Sequence, residues 1–309
     1  MASPELKKID ETYRWYRAAV DELQERSRVE GTPFGINEYR RLDFFTLTAE
    51  PDQVDYVHVN AGGVPAIWAA PVGAAKDPAI AYFHGGAYAQ GSAANYRRFC
   101  GHLAKAVRCR VLIVDYRLAP ENPYPAAVSD AITAYRWLLE QGFDPGRLAV
   151  AGDSSGGGLA FATLLALKQR ELPLPAGSVP ISPWTDMRGT SPSLKSQEGI
   201  DLLVSEAALR AAADTFLSGG DPLDPLASPV LGDYAGITTP IYVQVGGNEA
   251  LRDEAIAAVE QARRGGVDAT VEVFPGMQHV FQQGAGRIPE SDEALQKVGR
   301  FLKPLLKVE

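Results

Sequence analysis

Cysteine is nearly absent: Cys100 and Cys109 are the only two in 309 residues. A disulfide framework is therefore excluded as the main stabiliser, and two free thiols are expected. Long apolar runs are missing as well. No window reaches the roughly 18 consecutive apolar residues of a membrane span. The opening stretch Met1–Lys8 lacks the apolar core of a signal peptide. A cytoplasmic protein with no membrane partner is the expectation. Positive charge is in deficit, with a formal net charge of −8. That argues against nucleic acid or an anionic lipid surface as a partner, since either favours a basic patch. Histidine is scarce and scattered, at His58, His84, His102 and His279. No H-x-H or H-x-x-E-H spacing occurs, so neither a metal nor any organic cofactor is expected.

What is present is ordinary for a globular chain: 46% hydrophobic and 22% charged residues, enough for one large α/β domain or two small ones. Residues 1 to about 45 are charged and helix-prone around Glu11–Arg28, then broken at Gly31–Gly35. Val54–Asn60 alternates with period two and pairs plausibly with Ala66–Ala70 across Ala61-Gly62-Gly63. Six further short apolar runs follow: Ala79–Phe83, Val111–Val114, Leu148–Ala151, Val179–Ile181, Ile241–Val245 and Thr270–Phe274. Helical patterns such as Ala126–Glu140 and Asp253–Arg264 fall between most of them. Strands alternating with helices predict a mostly parallel sheet covered on both faces, made mixed by its antiparallel start. The stretch from Ile181 to Ile241 is too long for one crossover. It holds a helix-like Ser205–Phe216 and a Gly/Pro/Asp-rich tail. With the N-terminal helices, it is expected to cap the C-terminal edge of the sheet, where ligands bind in open α/β folds. The division expected is 1–45 as an N-terminal cap segment, 46–183 with 237–309 as the main domain, and 184–236 as the cap insertion.

The most informative residues are Gly152-Asp153-Ser154-Ser155-Gly156, between the apolar run Arg147–Ala151 and the helix-forming run Leu159–Leu165. Strand, tight turn and helix with serine at the apex is the setting of a nucleophile elbow. Only Ser154 has glycines at both −2 and +2, so it is the expected nucleophile rather than Ser155. A serine hydroxyl needs a base, and the base needs an orienting acid. His58 falls in a strand and His102 in a helix, whereas His279 follows a strand through Pro275-Gly276-Met277-Gln278 and reaches the same sheet edge as Ser154. The acid belongs after Ile241–Val245. Glu249 lies on that loop and is the first choice. Asp253, at the start of the next helix where a carboxylate suits the dipole, is the reserve. An oxyanion hole is expected from His84-Gly85-Gly86-Ala87-Tyr88 together with the Ser155 N–H.

These motifs resemble the hormone-sensitive-lipase-like family of α/β-hydrolases, the bacterial carboxylesterases, from about residue 50 onward. The carriers are His84–Ala87, Asp115–Glu121 with Tyr124–Ala127, Gly152–Gly157, Ser182-Pro183-Trp184, Ser228-Pro229 and Pro275–His279. The resemblance implies an eight-stranded α/β-hydrolase fold with a helical cap. It also implies a Ser154–His279–Glu249 triad and oxyanion donors at Gly86, Ala87 and Ser155. The implied activity is hydrolysis of short- to medium-chain esters, with lactones as a related substrate; the alternatives are a receptor on the same fold or an acyltransferase. Two positions depart from the family: Ala87 replaces a usual glycine, and Ser155 stands where alanine is common. Ala87 suits the hole without strain only if its φ is negative. Tyr88 and Trp184 either line the substrate pocket or pack in the core. Thr270–Phe274, as a possible sheet edge, makes a homodimer plausible.

Overall fold

Alternating and continuous apolar runs become strands in the computed structural model, which describes residues 3–42, 45–74 and 77–309. Met1 and Ala2 of the opening stretch, and residues 43–44 of the expected cap segment, lie outside the described residues. The chain begins with α1 (Leu6–Glu30) and a short α2 (Ile36–Tyr39). Strands β1 (Val54–Ala61), β2 (Val64–Pro71) and β3 (Ala79–Phe83) follow, then α3 (Ala93–Val107), β4 (Arg110–Val114), α4 (Ala126–Glu140) and β5 (Leu148–Asp153). Next come α5 (Ser155–Gln169), β6 (Gly177–Ile181), α6 (Ser193–Ser196) and α7 (Glu206–Leu217). The chain closes through β7 (Ile241–Gly246), α8 (Arg252–Arg264), β8 (Ala269–Phe274) and α9 (Pro289–Leu305).

The strands form one sheet in the order β1-β2-β4-β3-β5-β6-β7-β8. β2 is antiparallel to both neighbours, and every pairing from β4 to β8 is parallel. This is the mixed eight-stranded α/β-hydrolase sheet. Its two faces bury separate cores, as the two-residue period of a strand requires. In β3, Ala79, Ala81 and Phe83 enter the core shared with α4, α5 and α8. Ile80 and Tyr82 of the same strand enter the core shared with α1, α3 and α9. α5 is buried along its length from Ser155 to Leu167, which explains its lack of a polar stripe. At roughly 1.5–3 kcal/mol per large apolar side chain, residues such as Leu159, Phe161 and Leu164 fix this helix, and with it the residue that starts it.

Capping places α7. Ser205 is its N-cap, accepting the Ala208 N–H at 3.2 Å, and Ser218 ends it in the left-handed region. β8 is an edge strand. Cys100 and Cys109 are buried free thiols. Among the described residues, no helix is long and apolar enough to cross a membrane.

Candidate active site

β5 runs into α5 through Ser154, whose backbone sits at φ 53°, ψ −120°. A non-glycine residue held there costs on the order of 1–3 kcal/mol and persists only where its surroundings fix it. The Ser154 N–H donates to Ile181 O at 2.9 Å, and Ser154 O accepts from Trp184 N–H at 2.9 Å and Gly158 N–H at 3.0 Å. The flanking glycines are steric necessities. A Cβ at Gly156 would lie 1.9 Å from Phe83 O, and one at Gly152 would lie 2.3 Å from Gly156 O.

His279 follows β8, and Glu249 follows β7. His279 Nδ1 lies 2.9 Å from Glu249 Oε2, with both side chains buried. The other carboxylate oxygen, Oε1, accepts Ser182 Oγ–H at 2.6 Å and Gly246 N–H at 2.5 Å. An ionised carboxylate only accepts, so Nδ1 carries the ring proton and Nε2 keeps its lone pair. Ser182 Oγ also accepts the Val280 N–H at 3.3 Å, joining the acid to the histidine loop. Burial pushes the Glu249 carboxyl above the usual range, against the opposing pull of His279, Ser182 and Gly246. Burial disfavours the charged His279 ring, but the Glu249 charge and hydrogen bond, with Asp201 and Asp153 beyond, outweigh it and hold the imidazole pKa above its ordinary value.

Asp253 sits in the first turn of α8, where Arg252 Nε donates to its carboxylate at 2.9 Å. The remaining histidines are placed elsewhere. His58 is exposed on β1, and His102 Nε2 lies 3.1 Å from Ala49 O. His84 is buried and stacked on Tyr116, with ring centroids 4.3 Å apart.

After β3 the chain turns through Gly86, Ala87 and Tyr88 with φ of 119°, 54° and 58°. Ala87 therefore departs from the negative φ expected of an unstrained residue. The turn is tight: Ala89 N–H and Gln90 N–H both donate to Gly86 O, at 3.0 and 2.9 Å. Gly86 and Ala87 line a cavity of about 390 Å³ together with Ser154, His279 and Trp184. α1 adds Tyr16 and Val20 to its wall, and α7 adds Ala208 and Ala212. Ser155 is fully buried at the start of α5. Tyr88 is in the core instead of the cavity wall, 2% exposed and stacked on Phe216 with centroids 3.9 Å apart.

Ser182 was visible only as part of a motif. Asp153, the second residue of the elbow pattern, has no role assigned in the sequence reading. It is buried, and accepts Tyr82 O–H and Tyr96 O–H at 2.7 Å each and Gly85 N–H at 3.0 Å. Burial pushes its carboxyl up to about 6, against those hydrogen bonds. The available signal was a carboxylate ending a fully apolar strand, which must find donors.

An α/β-hydrolase fold family model matches residues 80–283. An acetyl-hydrolase of Streptomyces hygroscopicus is 39% identical over 98% of this chain and 97% of its own length. An ethyl acetate hydrolase of Pseudomonas putida is 37% identical over 74% of each chain. The crystal structure of an esterase from the bacterial hormone-sensitive lipase family superposes with a TM-score of 0.91 at 40% identity, covering 99% of both chains. With the mixed eight-stranded sheet and the serine elbow it carries, the chain belongs to the hormone-sensitive-lipase-like family of α/β-hydrolases.

Proposed function

We propose that this protein is a serine carboxylesterase that hydrolyses short- to medium-chain esters through an acyl-enzyme on Ser154. The single observation that carries the reading is that His279, held by the buried Glu249, lines the same cavity as the strained Ser154. Hydrolysis of carboxylic esters follows from the family and from the esterases this chain is similar to. The steps and residue roles below are our own assignment.

His279, oriented by Glu249, takes the Ser154 proton as Oγ attacks the ester carbonyl. The carbonyl oxygen becomes an oxyanion between the N–H groups of Gly86, Ala87 and Ser155. Each preorganised donor of this kind is worth roughly 3 kcal/mol. His279 then gives the proton to the leaving alkoxide. A water, deprotonated by the same ring, attacks the acyl-enzyme; the Oγ–acyl bond breaks, the carboxylic acid leaves, and His279 returns the proton to Ser154 Oγ.

The substrate class rests on the cavity and the relatives. About 390 Å³ lined by Trp184, Val20, Ala208 and Ala212 suits a small apolar acyl group. The names of the Streptomyces and Pseudomonas proteins support acetyl and other short esters. Small lactones fit the same chemistry. In this reading α1, α2 and the 184–236 segment are the cap, and a homodimer would use β8, the edge strand of the sheet.

The test is p-nitrophenyl ester turnover across acyl lengths by wild type, Ser154→Ala and Ser155→Ala. Activity on short esters, lost in Ser154→Ala and retained in Ser155→Ala, is expected. Absent turnover by wild type on every ester and lactone, or full turnover by Ser154→Ala, refutes the proposal.

A further inference from the structure

The turn proposed to receive the oxyanion is costly to form. Gly86, Ala87 and Tyr88 all have positive φ, and two of them carry side chains. Each such residue costs about 1–2 kcal/mol relative to an ordinary conformation. A turn of this kind keeps its shape only where neighbouring structure over-determines it. Much of that structure comes from the N-terminal segment, some 50 to 75 positions earlier in the chain, and Gln90 is where the two meet.

The main chain of Gln90 closes the turn. Its N–H donates to Gly86 O at 2.9 Å, and its carbonyl packs so closely that a Cβ on Gly86 would lie 2.1 Å from Gln90 O. The Gln90 side chain leaves the turn, 1% exposed, and is held by α1 and α2. Tyr16 O–H donates to Oε1 at 2.5 Å, and Nε2 donates to Tyr39 O at 2.7 Å and Leu42 O at 2.8 Å. Both amide N–H groups and the amide oxygen are used. A fully satisfied buried polar network of this kind rigidifies what it joins. Arg40 supplies a parallel tie: its Nε donates to Ala89 O and its Nη2 to Ala119 O, each at 2.9 Å. The Glu121 carboxylate holds the guanidinium in place, at 2.8 and 2.7 Å.

We infer that Gln90 is a positioning residue, through which the N-terminal segment holds the Gly86–Ala87 turn in the shape that receives the oxyanion. The inference rests on the esterase reading above. It makes the N-terminal segment more than a wall of the substrate cavity. The oxyanion is common to every ester, so loosening Gln90 lowers kcat for all acyl lengths alike. Changes confined to the cavity wall instead discriminate among acyl lengths; Gln90 and Tyr16 also border the cavity, so equal loss across acyl lengths is read together with boronate affinity.

The test uses the full-length protein and the variants Gln90→Met, Tyr16→Phe and Arg40→Met. It measures kcat and KM for p-nitrophenyl acetate and butyrate, inhibition by phenylboronic acid, and the thermal melting point. Phenylboronic acid forms a tetrahedral adduct with an active serine and so reports on the oxyanion site directly. Gln90→Met is expected to lower kcat about 10- to 100-fold, the scale of a misplacement on the order of 1 Å at a reacting centre. The loss should be equal for the two esters, with KM little changed and boronate binding weakened by a similar factor. Tyr16→Phe, which keeps both Nε2 bonds but also borders the cavity, should lower kcat and weaken boronate binding to a smaller degree, and adding it to Gln90→Met should cost little more. A folded Gln90→Met with unchanged kcat overturns the inference. So does a loss confined to KM or to one acyl length with boronate affinity intact. If Gln90→Met does not fold, Tyr16→Phe and Arg40→Met carry the test, and unchanged kcat in both overturns it. Failure of the esterase reading is separate, since it shows in wild type and Ser154→Ala before any of these variants is compared.

Discussion

Replacing Glu249 by glutamine separates orientation from charge at the centre of the site. The carboxylate accepts three bonds: Ser182 O–H and Gly246 N–H on Oε1, and the His279 ring on Oε2. Glutamine can match only one of those oxygens. Two donors converge on Oε1, so the amide oxygen belongs there and the NH2 group replaces Oε2. That group donates to Nδ1, which must then become the acceptor. The ring proton moves to Nε2, and His279 presents N–H to Ser154 where it should present a lone pair. The analogous wrong-tautomer substitution in a serine protease costs about 10⁴ in kcat. We expect a loss of about 10³- to 10⁴-fold here, or about 4–5 kcal/mol of barrier at 1.36 kcal/mol per decade. KM and the melting point should change little, because the side chain keeps its volume and most of its hydrogen bonds. The assay is steady-state hydrolysis of p-nitrophenyl acetate beside Asp253→Asn, which should be nearly wild type since Asp253 is held by Arg252. Glu249→Gln within about tenfold of wild type, less than the removal of one preorganised donor costs, would refute the reasoning. A large loss in Asp253→Asn would move the acid to that position.

Further outcomes follow from the His279–Glu249 pair and from the strained turn. His279 must be neutral to accept a proton, and its pKa is held above its ordinary value, so kcat/KM should fall as pH drops through a limb above about 6.5. Glu249→Gln should move that limb down. Because the folded-state pKa is raised, the ion pair contributes stability below the unfolded histidine value and loses it as pH rises through the folded one; unfolding measured across the limb reads this directly. Ala87→Gly removes the left-handed strain at φ 54°. Set against the extra freedom of glycine in the unfolded chain, the net gain is at most about 1 kcal/mol. Urea unfolding should show equal or greater stability with turnover retained, and a clear destabilisation would contradict the strain argument.

The elements easiest to read in the sequence were those with a strong period and clear breakers. α4 spans Ala126–Glu140 as its pattern predicts, and α8 begins one residue before the expected Asp253. α1 starts at Leu6, earlier than Glu11, because its first turns are mostly charged residues that give little apolar signal. The grouping of Ser154, His279 and Glu249 was legible because each follows a strand at one sheet edge, so chain order stands in for proximity. The supporting residues were not. Ser182 meets Glu249 from 67 positions away, and Asp153 meets Tyr82 across 71; only the folded sheet brings these together. Tyr88 shows the converse. Its position after the turn is legible, but its packing partner Phe216 lies in a distant helix that only the fold brings to it.

The central claim, that Ser154 carries the acyl group, is tested most directly by mass spectrometry of enzyme quenched in acid within the first turnover of p-nitrophenyl acetate. The account predicts one acetyl group per chain, on the peptide containing Ser154, absent from Ser154→Ala and strongly reduced in His279→Ala, which lacks the base for the attack. Acetyl on any other residue, or full p-nitrophenol release with no acyl-enzyme formed in wild type, would contradict it.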